Sequence, residues 1–339
     1  MVDATYVRWA ANDKSYFSIF KKEIRIKAET AGFDSKKLND IDVVITAITT
    51  NLPQYGGKAE VLATFGHEAD NCYLEMIRIE HGPQISNQQQ LQSELSADRA
   101  PGTDAGSIKS LSDKFDSYTM KDWGTITLSR IYKDVRRPRT GLLAKVEIRP
   151  LVVMMPGQSV SGDGTYYQLD ERYLKLLVAD GLGHGQEANL AVNEAVAAFR
   201  ASNNHSPSAI LKDIHQSILK TRGIVGTVIV FDFETKIWTM AGIGNISTRM
   251  SNFLEIKNLM SHNGIVGHNI PLTMKDQEIE LKNFHQVTLC SDGIKSRWEL
   301  AKYPGINRCD LSIQAAAIYK DYARHSDDMS VVIAKINTL

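Results

Sequence analysis

The sequence is poor in cysteine, in charge imbalance and in long apolar runs, and each shortage removes a class of protein. Only Cys72, Cys290 and Cys309 are present, scattered and without paired metal spacing. That pattern suits a reducing cytoplasm better than a disulfide framework and offers no paired thiolate spacing for a metal. Lysine plus arginine and aspartate plus glutamate balance at 39 each, so no field draws the chain to nucleic acid or to an anionic membrane. The start, Met1-Val-Asp-Ala-Thr, has neither a basic stretch nor an apolar one, and no run approaches the length of a membrane span. A cytoplasmic protein without nucleic-acid or membrane partners is expected. What remains is 43% hydrophobic over 339 residues, enough for two domains of mixed α and β structure.

The most informative stretch is Leu176-Leu-Val-Ala-Asp-Gly-Leu-Gly-His-Gly185. An apolar run that stops at an acid followed by glycines reads as a buried strand delivering one carboxylate to a bare loop. Glycines at 181, 183 and 185 keep side chains away, so backbone carbonyls and a hard cation can approach. The plain alternative is a strand-to-helix turn with an aspartate cap.

In the first 133 residues, Phe17, Phe20, Ile24, Ala28 and Ala31 recur at helical spacing before Gly32. A second helix is expected from Ser35 to about Leu52, on the face of Leu38, Ile41, Ile45 and Ile48. Strands are expected at Ala59–Phe65 and Cys72–Ile79, joined by a polar turn over Gly66–Asn71. The Gln-rich stretch Ser86–Ala100 reads as a lid or a surface loop. Ile108, Leu111 and Phe115 predict a short helix, and Thr125–Ile131 a strand. The basic run Lys133–Arg139, with Pro138 and Gly141 nearby, makes 134–144 a linker.

Asn51 near the end of the second helix, Glu80-His-Gly-Pro-Gln-Ile85, Gly102 and Gly106, and Gly124-Thr125 come in the order of the GHKL (Bergerat-fold) ATPases. The segment 1–133 most resembles the small RsbT-type serine kinases. The resemblance implies a Bergerat-type sandwich of helices on one sheet. It places Asn51, Glu80, Gly82, Gly102, Gly106 and Thr125 around ATP and Mg²⁺. The sequence departs from that pattern at four points. Ala47 stands where family members carry a general-base glutamate. Glu80 replaces an aspartate, Gln84 a glycine and Asp104 another glycine. Side chains at 84 and 104 crowd a loop meant to offer bare N–H groups to phosphate. The reading is therefore a kinase-like shape used for docking, with ATP binding left open.

From residue 145 onward the patterning changes to many short strand-like runs: Lys145–Met154, Tyr173–Ala179, Thr227–Phe233, Ile237–Ala241, Gln286–Cys290 and Met329–Ile336. Helices are expected at Gln186–Ala201, Pro207–Lys220 and Leu311–Ala323. This is an α+β layered plan. Four acidic motifs stand out, three of them at the end of an apolar strand: Ser161-Gly-Asp-Gly164, Ala179-Asp-Gly181, Ser291-Asp-Gly293 and Ser326-Asp-Asp-Met329. Carboxylates without clustered histidine or cysteine favour Mg²⁺ or Mn²⁺ over zinc.

With Gly226-Thr227 and Ala241-Gly-Ile-Gly-Asn-Ile246, these motifs resemble the metal-dependent serine/threonine protein phosphatases of the SpoIIE/RsbX branch. The resemblance implies an α-β-β-α sandwich over 145–339. It makes Asp163 and Asp180 central ligands of two cations, with the Gly181 carbonyl, and adds Asp292 and Asp327. Asp328 takes a supporting place, and His184 packs or hydrogen-bonds in its loop. In the resembled systems, RsbT-like kinases and RsbX-like phosphatases act on the same STAS-domain regulators. The expected function is thus a phosphatase for a phosphorylated STAS-domain protein. The alternatives are a bifunctional kinase and phosphatase, or a partner-switch binding protein of the anti-sigma type.

Overall fold

The computed structural model describes residues 5–10, 14–49, 59–68, 71–82, 104–135, 141, 145–252 and 255–337. Asn51, Gln84, Gly102, the stretch 86–100 and most of the 134–144 linker lie outside the described residues. The chain divides into two compact units, Tyr6–Arg137 with Tyr303–Ala317, and Pro138–Lys302 with Met1–Thr5 and Ile318–Leu339.

In the first unit the order is β1 (Thr5–Ala10), α1 (Lys14–Thr30), α2 (Ser35–Thr49), β2 (Ala59–Glu68), β3 (Asn71–His81), α3 (Asp104–Leu111), β4 (Lys114–Met120) and β5 (Gly124–Tyr132). The strands pair antiparallel as β1-β2-β3-β5-β4. Helix α1 buries Phe20, Ile24 and Ala28, and α2 buries Leu38, Ile41, Val44, Ile45 and Ile48, against Val61, Ala63, Leu74 and Met76. The chain leaves α1 through Gly32 at φ +82°, a conformation that favours glycine. The Asp34 side chain then accepts from Lys37 N at 2.8 Å and caps α2.

Two expectations are corrected here. Strand β2 runs on through Gly66 to Glu68, where a turn was expected, because the Tyr73 ring lies over the bare face of Gly66 and needs the strand to continue. Phe115 lies in strand β4, since α3 stops at Leu111. There the Asp113 carboxylate accepts from Tyr132 N at 2.8 Å and draws the chain onto the sheet. Strand β4 pairs only with β5 in this unit and is largely polar, so it lacks the apolar pattern of a buried strand.

A buried ion cluster lies within this unit. Arg130, 1% exposed, donates through Nε to Glu75 Oε2 at 2.5 Å and through Nη2 to Asp310 Oδ1 at 3.3 Å. Tyr6 Oη donates to the other Glu75 oxygen at 2.6 Å. Asp310 in turn accepts from Ser312 N at 2.9 Å at the head of a later helix.

The second unit carries β6 (Val146–Val153), β7 (Asp163–Leu169), β8 (Tyr173–Gly181), α4 (Gln186–Ala201), α5 (Pro207–Ser217), β9 (Ile224–Asp232), β10 (Ile237–Ile243), β11 (Ser247–Ser251), β12 (Ile256–Leu259), β13 (Gln277–Glu280), β14 (Gln286–Cys290) and β15 (Met329–Ile336). Helix α6 (Leu311–Tyr322) leads toward β15. One antiparallel sheet has the order β13-β10-β9-β8-β7. The strands β12-β11-β14-β15-β6 pair antiparallel as a second layer.

Strand β8 shows why the layers stack. Leu174, Leu176 and Val178 join Val146, Ile148, Val287, Leu289, Val332 and Ala334 in the core between the sheets. Leu177 and Ala179 face the other way, onto Ala191, Val192 and Ala195 of α4 and Ile210 and Ile214 of α5. A strand buried on both faces reads as a near-continuous apolar run, and residues 174–179 do so except at Lys175, whose ammonium donates to the Ser202 and Asn204 carbonyls. Strands β7, β11, β12 and β13, absent from the sequence reading, are short or only partly buried.

Candidate active site

The acidic motifs gather at strand ends in the second unit. Asp163 opens β7 and pairs in register with Asp180, near the end of β8. Asp292 follows β14, and Asp327 and Asp328 precede β15, the antiparallel neighbour of β14. Burial raises the Asp180 carboxyl to about 9, and the nearby charges of Asp163, Asp292, Asp327 and Asp328 push it in the same direction. Burial also raises Asp163, to about 7, against the lowering effect of hydroxyl bonds from Ser291 and Ser330. Five carboxylates therefore share one electrostatic neighbourhood.

Asp328 holds the loop that precedes Asp163. Its Oδ1 accepts from Met155 N and its Oδ2 from Gly162 N, both at 2.8 Å. With both oxygens so engaged and 3% exposure, Asp328 fastens the β6–β7 connection to the start of β15. Asp163 N donates to Ser161 Oγ at 3.0 Å, and Asn189 of α4 donates to the Ser161 carbonyl at 2.8 Å. The second edge of the loop is tied by Gly181 N, which donates to Gly162 O at 2.9 Å.

Glycine is required where these pieces meet. A Cβ on Gly181 would come within 2.5 Å of the Ala188 carbonyl oxygen, and one on Gly293 would overlap the Asp328 carbonyl. On the exposed side, Asn245 Nδ2 donates to Asp292 Oδ2 at 2.9 Å. Asp327 Oδ1 accepts from Asp328 N at 2.9 Å. His184, expected to pack or hydrogen-bond within its loop, is exposed and so does not pack there. Ser161, Asn189, Asn245, Ser291 and Ser330 were not singled out from sequence. Three of them lie inside or beside the acidic motifs, as Ser161-Gly-Asp, Ser291-Asp-Gly and Asp327-Asp-Met-Ser330, and that adjacency was the available signal.

The donor chemistry fits a hard cation: these are carboxylates, whose mutual repulsion a divalent ion relieves. Among the described residues, no group of three or more histidine, cysteine, aspartate or glutamate side chains is already placed to hold a metal ion.

The nucleotide-site candidates of the first unit are arranged differently. Glu80 and Thr125 are cross-strand partners on β3 and β5. Glu80 is buried and ion-paired with Arg78, whose guanidinium also reaches Ile48 O at 3.4 Å. Thr125 Oγ1 lies 3.1 Å from Thr119 Oγ1. Gly82 turns at φ +89°, and Gly106 sits inside α3 rather than in a glycine-rich loop. Ala47 is packed in the apolar core of the unit.

Known proteins give an independent comparison. Residues 170–337 match the family model "Stage II sporulation protein E (SpoIIE)". The chain is 29% identical over 93 residues to "Phosphoserine phosphatase RsbX" of Bacillus subtilis (strain 168), an alignment spanning 26% of this chain and 45% of that relative's length. A solved structure described as "The bacterial stressosome: a modular system that has been adapted to control secondary messenger signaling" superposes with TM-score 0.51 at 27% identity, covering 56% of this chain and all of the other. RsbX in complex with magnesium superposes with TM-score 0.50 at 17% identity, over 57% of this chain and 96% of RsbX, a likeness of fold. Over its C-terminal region the chain is thus similar in sequence to the SpoIIE family and to RsbX, and shares the fold of RsbX.

Proposed function

We infer that the chain is a Mg²⁺- or Mn²⁺-dependent serine/threonine protein phosphatase. The observation that carries this reading is the register pair Asp163–Asp180, joined in one field by Asp292 and Asp327. Asp163, Asp180, the Gly181 carbonyl, Asp292 and Asp327 would hold the cations. When bound, two such ions make a coordinated water nucleophilic near neutral pH and offset charge on phosphoryl oxygens. The protein's own part is to fix these oxygens: Asp328 clamps the loop, Asn245 restrains Asp292, and the glycines at 181 and 293 leave room for close approach.

The substrate read from the family likeness is a phosphoserine or phosphothreonine on a STAS-domain protein, with the first unit as a docking module. The order strand, helix, helix, strand, strand, helix, strand, strand over one antiparallel sheet supports a Bergerat-type unit. Ala47 in the core and Glu80 committed to Arg78 favour docking over phosphate transfer. Tethering a substrate next to a phosphatase raises its effective concentration. Full-length protein offered a phosphoserine-bearing STAS protein should release phosphate with Mn²⁺ and not with chelator. Release independent of metal would overturn the reading.

A further inference from the structure

One oxygen of Asp163 is engaged twice. Ser291 Oγ and Ser330 Oγ each donate to Asp163 Oδ2 at 2.6 Å, and these three side chains are almost wholly buried. Ser291 lies just beyond β14 and Ser330 on β15, whereas Asp163 belongs to the other sheet. The proton positions follow from the remaining bonds. Ser291 Oγ accepts from Ser330 N at 3.0 Å, so its own hydroxyl proton is free to point at Asp163. The Asp163 carboxylate is thus tied through Oδ2 to the second sheet, and neither of these bonds uses Oδ1.

We propose that Ser291 and Ser330 are positioning residues that hold Asp163 as a one-oxygen donor to the cation, locking the two sheets at the spacing the centre needs. The inference rests on the metal-dependent reading above. The double bond to Oδ2 prevents Asp163 from swinging to chelate through both oxygens. It also stabilises a buried carboxylate that neighbouring charges destabilise. Partners that orient a ligand in this way are commonly worth about 10–100-fold in metal affinity.

Ser330→Ala is the cleaner test, because Ser291→Ala would also leave the Ser330 N–H without its acceptor. Full-length protein is titrated calorimetrically with Mn²⁺, and melting temperature is followed with and without the ion. Wild type binds Mn²⁺, Ser330→Ala binds it about tenfold or more weakly, and Ser330→Thr, which keeps the hydroxyl, stays near wild type. Hydrolysis by Ser330→Ala recovers as Mn²⁺ is raised. Unchanged Mn²⁺ affinity in a folded Ser330→Ala protein overturns the inference, even if its melting temperature falls. Should that variant not fold, Ser330→Cys, with a weaker donor of similar size, is expected between wild type and the loss, and wild-type affinity in it counts against the proposal. Absence of Mn²⁺ binding by wild type would instead sink the phosphatase reading itself.

Discussion

Asp163 and Asp180 stand directly opposite each other across the β7–β8 pair, two acids where neighbouring strands place side chains closest. Like charges opposed in this way destabilise a sheet, and a bound cation at the proposed site would offset that repulsion. Asp180→Asn keeps shape and removes one charge. Hydrolysis of p-nitrophenyl phosphate should collapse, while the metal-free variant melts higher than metal-free wild type. Near-wild-type turnover in Mn²⁺ would remove Asp180 from the centre.

The same repulsion sets a pH dependence. In the folded metal-free chain the Asp180 carboxyl is raised to about 9, against about 4 for a free aspartate. Between those values the folded state binds more protons than the unfolded state, so stability falls as pH rises. Asp163, raised to about 7, adds to the fall in the lower part of the window. Melting temperature without metal should therefore decline from pH 5 to 9, and the gain on adding Mn²⁺ should grow over that range. A metal-free stability that rises through this window would contradict the assignment.

The tight loop crossing gives a steric prediction. Gly293→Ala places a methyl group on the Asp328 carbonyl, and Asp328 N donates to Asp327 Oδ1. Both the β14 loop and the start of β15 must shift, so activity should be lost and Mn²⁺ affinity weakened together. Calorimetry and phosphate release on the purified variant check this, and retention of both would show that the loops yield without cost.

How much was legible in the sequence differs between these features. Apolar runs such as Leu176–Ala179 and helical faces such as Ile41, Ile45 and Ile48 declared themselves, because burial on two faces or one stripe leaves a trace in the pattern. The acidic motifs were visible too, because although Asp beside Gly is a common turn pair, several such acids beside apolar strands stand out together. Strand β4 and the strands β7, β11, β12 and β13 were not. They are half-exposed or short, and their pairing depends on distant partners. The hydroxyls of Ser291 and Ser330 stood beside marked residues, but only the fold brings residues 128 and 167 positions away onto one oxygen of Asp163.

The buried cluster of the first unit gives a stability prediction. Arg130 and Glu75 are each 1% exposed, and Tyr6 shares the second Glu75 oxygen. Removing one member of such a pair leaves an uncompensated buried charge and typically costs about 3–5 kcal/mol. Glu75→Ala should therefore lower the urea midpoint of the full chain markedly, whereas exposed Lys282, paired with Glu280, should be replaceable by alanine with little change. Equal, small effects would mean the cluster is solvated in solution.

The central claim is metal-dependent hydrolysis by the carboxylate site, and phosphate release tests it most directly. Full-length wild type, with Asp180→Asn as control, is given a phosphoserine protein in Mn²⁺, in Mg²⁺ and in excess chelator. The account predicts release by wild type in either metal, none in chelator, and almost none by the variant in any condition. Equal release in chelator, or by the variant, would contradict it.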